Sequence, residues 1–208
     1  MRTILRFIAI FFVVVSCQTK PRIKAEPFQV LLPDTSKTHD GNILFYDLKE
    51  LGSKIGLPRI DTGVSGFELR LWTKTATNSN LLIIVRQIDT SILCQKIEYL
   101  EMPAVPGVDH FIIHDPQDSV RSLFDSLKQI DYSKMVSQEE IDQFKDTATD
   151  GIAYHLEVAT PLYYKFLSYH CPERFAKGEP DNRKFLNLVL LLDRHLHFYS
   201  PACGSKDP

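Results

Sequence analysis

Seven histidines, four cysteines and a few closely spaced acid–base pairs are what this chain of 208 residues offers for chemistry. His155 and Glu157 are two positions apart, the spacing that puts both on one face of a strand. In a groove such a pair could transfer protons; on a solvated face it is only polar surface, which is the expected reading. Glu68 and Arg70 repeat the spacing and are expected to serve as cross-strand charge partners worth a few tenths of a kcal/mol. His110 and His114 flank Phe111-Ile112-Ile113, and on a strand both would face one way. With Asp109 or Asp115 they could offer metal ligands, although Asp115 is equally suited to cap a helix. Asp193, His195 and His197 gather near a helix end, where charged histidines complement the helix dipole. Residues two apart on a helix diverge, so His195 and His197 would chelate poorly. No HExxH spacing occurs, and no metal site is assigned.

Motifs for other chemistries are missing. The chain has no GxSxG or SxxK for a nucleophilic serine, no GxGxxG or Walker A for a nucleotide, and no CxxC. No catalytic residue and no cofactor is therefore expected. Cys94, Cys171 and Cys203 could stay reduced, or Cys171 and Cys203 could form a disulfide in an oxidising compartment. On the chain-entropy model that bridge is worth about 3–4 kcal/mol and would leave Cys94 as a buried thiol. Aromatics concentrate late in the chain, at Tyr154, Tyr163, Tyr164, Phe166 and Tyr169. Tyrosine suits interfaces because it is part apolar and part hydrogen-bonding, so Tyr163 and Tyr169 are candidate contact residues.

The N-terminus carries an address. Arg2 and Arg6 precede an uncharged apolar run from Phe7 to Val15. That run is too short to span a bilayer, which takes about 20 helical residues, and fits the h-region of a signal peptide. Val14-Val15-Ser16-Cys17 follows directly and resembles the bacterial lipobox. The resemblance implies a signal peptide over 1–16, acylation of Cys17, and a tether over 17–27. Two or more acyl chains anchor a protein stably, whereas one holds it only reversibly. Gln18 in place of Asp favours the outer membrane. The basic run at Lys20, Arg22 and Lys24 lacks the acidic residues of surface export, so the periplasmic side is expected.

These groups must be positioned by ordinary elements. Phe28 to Leu32 reads as a short strand, and Leu48, Leu51 and Ile55 fall at helical spacing before Gly56 and Pro58. Phe67, Leu69 and Leu71 alternate with Glu68, Arg70 and Trp72, the pattern of a half-buried strand. With 81–85 and 91–100 it should form an antiparallel meander, because the connections are too short for crossover helices. Asp115-Pro116 opens a helix with Val120, Leu123, Phe124, Leu127 and Ile130 on one face. Ser137-Gln138-Glu139-Glu140 is a capping-box sequence that predicts a second helix towards Phe144. A hairpin follows from Ile152 to His170 through Thr160-Pro161, then a last helix after Asp181, ending before Pro201. The expected fold class is α+β: an antiparallel meander packed against two or three helices, as one domain over 28–208.

Composition agrees. With 44% hydrophobic residues and a net charge of −2, the chain is neither disordered nor a basic nucleic-acid binder. Removing residues 1–16 takes away Arg2 and Arg6 and no acid, which moves the charge from −2 to −4. Beyond the lipobox, the layout of tether, meander, helices, Asp-Gly-started hairpin and final helix resembles small lipoproteins of Bacteroidetes-like bacteria; the resemblance carries over no catalytic residue. The expected protein is thus a membrane-anchored envelope lipoprotein acting as a non-enzymatic binding module. It would be held by Cys17 and meet another envelope protein or component. The alternative is a tethered periplasmic hydrolase or metal-dependent enzyme.

Overall fold

The computed structural model describes residues 27–38, 42–75, 79–100, 107–111, 117–142, 144, 150–199 and 203. The expected signal peptide, Cys17 and nearly all of the expected tether lie outside them, as do His114 and Asp115. At 79, 100, 107–111 and 117–119 the backbone alone is considered.

Seven strands form one mixed sheet: β1 (Gln29–Leu31), β2 (Glu68–Thr75), β3 (Ser79–Ile88), β4 (Ser91–Leu100), β5 (Gly107–Phe111), β6 (Ile152–Ala159) and β7 (Tyr163–His170). Their order is β1-β7-β6-β2-β3-β4-β5. The meander of β2, β3 and β4 and the β6–β7 hairpin occur as the sequence predicts, and the fold is α+β. β6 lies antiparallel to β2, with Glu157 opposite Arg70, so hairpin and meander fuse. β1 alone runs parallel, along β7.

The helices are α1 (Ile43–Lys54), α2 (Gln117–Lys128), the short α3 (Pro172–Phe175) and α4 (Pro180–Leu196). α2 and α4 cover one sheet face, where Leu69, Leu71, Ile83, Val85, Leu156 and Val158 are buried among their apolar residues. α1 covers the other, with Phe45 and Leu48 packed on Trp72, Leu82, Tyr164 and Phe166. The strands of the centre are therefore buried on both faces, which corrects the half-buried reading of β2.

Local chemistry sets the ends. Gly56 takes a positive φ of 77° beyond α1, a conformation that glycine adopts without steric cost. His197 closes α4 in the left-handed region, and its N–H bonds the Asp193 carbonyl at 2.8 Å. The predicted helix from Ser137 to Phe144 is instead a single 3-10 turn over Gln138–Glu140. The capping box itself is made, with Glu140 Oε2 accepting from the Ser137 amide at 2.7 Å, but side chains of the turn are also committed to β7. Ser137 Oγ accepts from the Ser168 amide at 3.0 Å and Gln138 Oε1 from the His170 amide at 2.8 Å. β1 is too short to reach that half of the β7 edge, so side chains satisfy it there.

Candidate functional site

The face turned towards α1 carries the even-numbered residues of β2 and the odd-numbered residues of β6, and it is the polar one. Glu68, Arg70, His155 and Glu157 are all buried. This overturns the expectation of a solvated face, because α1 and the segment after it lie across it. Burying ions is costly unless they are paired and hydrogen-bonded, and here they are both. Arg70 Nε donates to Glu68 Oε1 at 2.7 Å, and its Nη2 donates to the Pro58 carbonyl at 2.7 Å. Arg86 approaches the other oxygen of Glu68 at 3.7 Å. Glu68 and Arg70 thus pair with each other along one strand and also have cross-strand charge partners, Arg86 opposite Glu68 and Glu157 opposite Arg70.

Glu157 is 6% exposed. Trp72 Nε1 donates to its Oε2 at 2.7 Å and the Tyr164 hydroxyl to its Oε1 at 2.8 Å. Burial pushes its pKa above the usual carboxylate value, opposed by the Arg70 charge and these two donors. The same burial, with the Glu157 charge beside it, raises the Tyr164 phenol.

Above this floor opens a cleft of about 470 Å³. Glu157 and Arg70 line it below, and Phe45, Leu48, Leu57 and Ile60 make its walls. Its size is that of a small-molecule site, apolar with a few convergent polar groups. Asp61 holds one rim, where Lys49 Nζ reaches Oδ2 at 2.8 Å and Arg59 Nε reaches Oδ1 at 3.0 Å. The Arg59 hydrogen bond, with Lys49 adding to it, lowers Asp61 to about 2. The lining holds three bases, Lys49, Arg59 and Arg70, and three acids, Glu50, Asp61 and Glu157, so its formal charges balance. Chemically the floor offers a fixed acceptor beside a fixed cation, at the bottom of an apolar slot.

His155 does not share the cleft. Its Nδ1 lies 3.1 Å from Ser168 Oγ, its ring stacks on Phe166 at 6.2 Å, and Nε2 has no hydrogen-bond partner among the described residues. Burial, reinforced by the charges of Lys74 and His170, lowers its pKa to about 3, so the imidazole is neutral at pH 7. The pair named from the sequence is therefore split: Glu157 reaches a cleft, and His155 is a core residue.

The remaining predicted groups have structural partners. Asp193 Oδ1 accepts the amides of Phe198 and Tyr199 at 2.8 and 2.7 Å, sealing the chain beyond α4. His110 stands opposite Ile97 in the β4–β5 pairing. No group of three metal-ligating side chains occurs among the described residues. Cys171 and Cys203 are disulfide-bonded, and Cys94 is buried in β4. Tyr169 is 1% exposed, its ring 3.9 Å from that of Phe185 and its hydroxyl donating to the Val136 carbonyl at 2.5 Å. It is therefore a core residue and not a contact residue, because α4 packs over this end of the hairpin. Tyr163 is half-buried and lines a smaller cleft of about 330 Å³ with Thr160 and Pro161.

Sequence reasoning missed Trp72, Tyr164 and Phe45 as parts of the site. A signal was present: Trp72 shares the parity of Glu68 and Arg70, and a strand facing water seldom repeats its polar side with a tryptophan. The chain matches no protein-family model, no curated protein and no solved structure. No helix among the described residues is long and apolar enough to cross a membrane.

Proposed function

We propose that this protein is a lipid-anchored binding module of the bacterial envelope, tethered through Cys17 at the outer membrane and facing the periplasm. Its ligand site is the cleft between α1 and the sheet. One observation carries the reading: Glu157 and Arg70, immobilised by Trp72, Tyr164, Glu68 and Pro58, form a dry acceptor–donor floor under apolar walls. Preorganised polar groups in such a slot favour affinity, since little ordering is left to be done on binding. The ligand that fits has an apolar body and one end that both donates and accepts, with no net charge, as in an amino acid or a short peptide.

Hydrolysis would use Glu157 as acid or base, and its raised pKa suits that role. Among the described residues neither Cys nor His lines the cleft, however, and both oxygens of Glu157 already accept hydrogen bonds. Binding is the better account.

Thermal unfolding of the full-length protein in detergent, with a panel of short peptides and free amino acids, tests the reading. A ligand at 100 times its Kd adds about 2.7 kcal/mol of stability. The expected result is a raised midpoint that is lost in Glu157→Gln and in Ser53→Trp, which places a bulky ring on the α1 wall. Equal shifts in all three proteins, or none in the wild type, would sink it.

A further inference from the structure

Strand register brings three exposed apolar side chains to one end of the sheet. Glu68 of β2 is opposite Arg86 of β3 and Ala159 of β6; Ala159 is opposite Tyr164 of β7, which is opposite Val30 of β1. These residues make one row across the sheet, and the chain passes beyond the row at the same end in each strand. There lie Phe28 before β1, Leu162 in the β6–β7 turn and Ile88 at the end of β3, respectively 36%, 56% and 48% exposed. β1 and β3 are four strand positions apart, so the three span about 19 Å at about 4.8 Å per strand. Val30, half-exposed on β1, extends the set at the sheet edge. Single exposed apolar side chains are ordinary, whereas several gathered at one end of a fold mark a contact with a partner or a membrane.

The same end receives the tether. Because β1 runs parallel to β7, the chain enters β1 at the end where Leu162 turns. Between Cys17 and Phe28 lie only ten residues, a reach of about 36 Å at most. Lys20, Arg22 and Lys24 stand in that stretch against the single acid Glu26. Each base near an anionic surface adds about 1 kcal/mol of attraction.

We infer that this end of the sheet, built from Phe28, Ile88 and Leu162, rests on the lipid surface that holds the anchor. The inference depends on the anchored-lipoprotein reading above. It gives the domain a fixed orientation: tether and apolar end at the bilayer, disulfide end away from it. The apolar tips enter the interfacial layer at the end of the sheet where the tether joins the domain.

The test uses the full-length acylated protein, reconstituted in vesicles of phosphatidylethanolamine and phosphatidylglycerol. An environment-sensitive fluorophore is attached at Leu162→Cys, or at Lys177→Cys in the exposed turn after α3, beyond the opposite end of β7. Phospholipids with a spin label near the headgroup should quench position 162 several-fold more than position 177. Adding Ile88→Asp to the Leu162→Cys labelled protein should reduce that quenching while leaving the far-ultraviolet spectrum unchanged. Equal quenching at both positions, or stronger quenching at 177, overturns the orientation. Flotation and mass report the anchor separately. Protein that carries no acyl mass on Cys17, or that floats equally well as Cys17→Ser, would refute the anchor reading itself.

Discussion

The two faces of the central sheet solve the same packing problem by different chemistry. Under α2 and α4, Leu69, Leu71, Leu156 and Val158 are buried as apolar side chains need to be. Under α1, the alternate residues of the same strands are Glu68, Arg70 and Glu157, equally buried but interlocked by hydrogen bonds. The first face tolerates shape changes in proportion to the volume lost. The second is an all-or-none network, since losing one member strands the others as uncompensated buried charge. Apolar packing would suffice for stability alone, and the buried charged floor lies beneath the cleft proposed above as the ligand site.

Removing one charge separates the two faces most sharply. Arg70→Met should destabilise the domain by about 3–5 kcal/mol in urea unfolding, because Glu68 and Glu157 lose their cation. Leu71→Ala, the next residue but on the other face, should cost about 2–5 kcal/mol through its cavity. The triple replacement of Glu68, Arg70 and Glu157 by Leu, Met and Leu should recover much of that loss, as concerted apolar replacement often does, while the Trp72 and Tyr164 donors left without Glu157 keep it below wild type. A triple variant no better than Arg70→Met would remove the distinction between the faces.

The disulfide should matter to both faces alike. Cys171→Ala with Cys203→Ala opens a loop of 32 residues and should lower stability by about 3–4 kcal/mol. Gly151 adjoins the bridge with φ 139°, and a methyl there would overlap both sulfurs. Gly151→Ala should therefore yield free thiols by mass spectrometry after alkylation.

Proton linkage gives a graded, pH-dependent effect confined to the α1 face. His155 is lowered in the fold from 6.5 to about 3, so below pH 6.5 the unfolded chain binds a proton that the folded one refuses. Its contribution is complete above 6.5 and declines as pH falls towards 3, by up to about 1.4 kcal/mol per pH unit. Subtracting the stability of His155→Gln from that of wild type across pH 4 to 7 should expose this slope. A flat difference would mean that the ring is solvated. The smallest effect belongs outside both faces: Lys54→Ala breaks the exposed pair with Glu50 and should change stability by no more than about 0.5 kcal/mol.

Period and turn chemistry made much of this fold legible. Leu69 and Leu71 alternate, Asp89-Thr90 turns, the last helix expected after Asp181 begins at Pro180, and each local signal agrees with its tertiary setting. Long-range pairing was not legible, because the antiparallel contact of β6 with β2 and the parallel contact of β1 with β7 leave no local trace. The capping box at Ser137 forms but opens only a single turn, since Ser137 and Gln138 also serve the β7 edge, a use that only the assembled sheet creates. The site was half legible. Glu157 was a candidate from its spacing, but an alternating strand reads the same whether its polar side meets water or a helix. Only Trp72 on that face distinguishes the two. Tyr163 and Tyr169 show the converse failure, since an aromatic hairpin suits an interface and a core equally well.

Glu157 itself gives the most direct test. The carboxyl carbon of each glutamate can be followed by nuclear magnetic resonance as pH is raised, with Glu157→Gln supplying the assignment. Buried beside Arg70 and held by Trp72 and Tyr164, Glu157 should titrate above its ordinary value of 4.5. A midpoint at or below 4.5 would contradict the account that burial outweighs the Arg70 charge and the two donors at this floor.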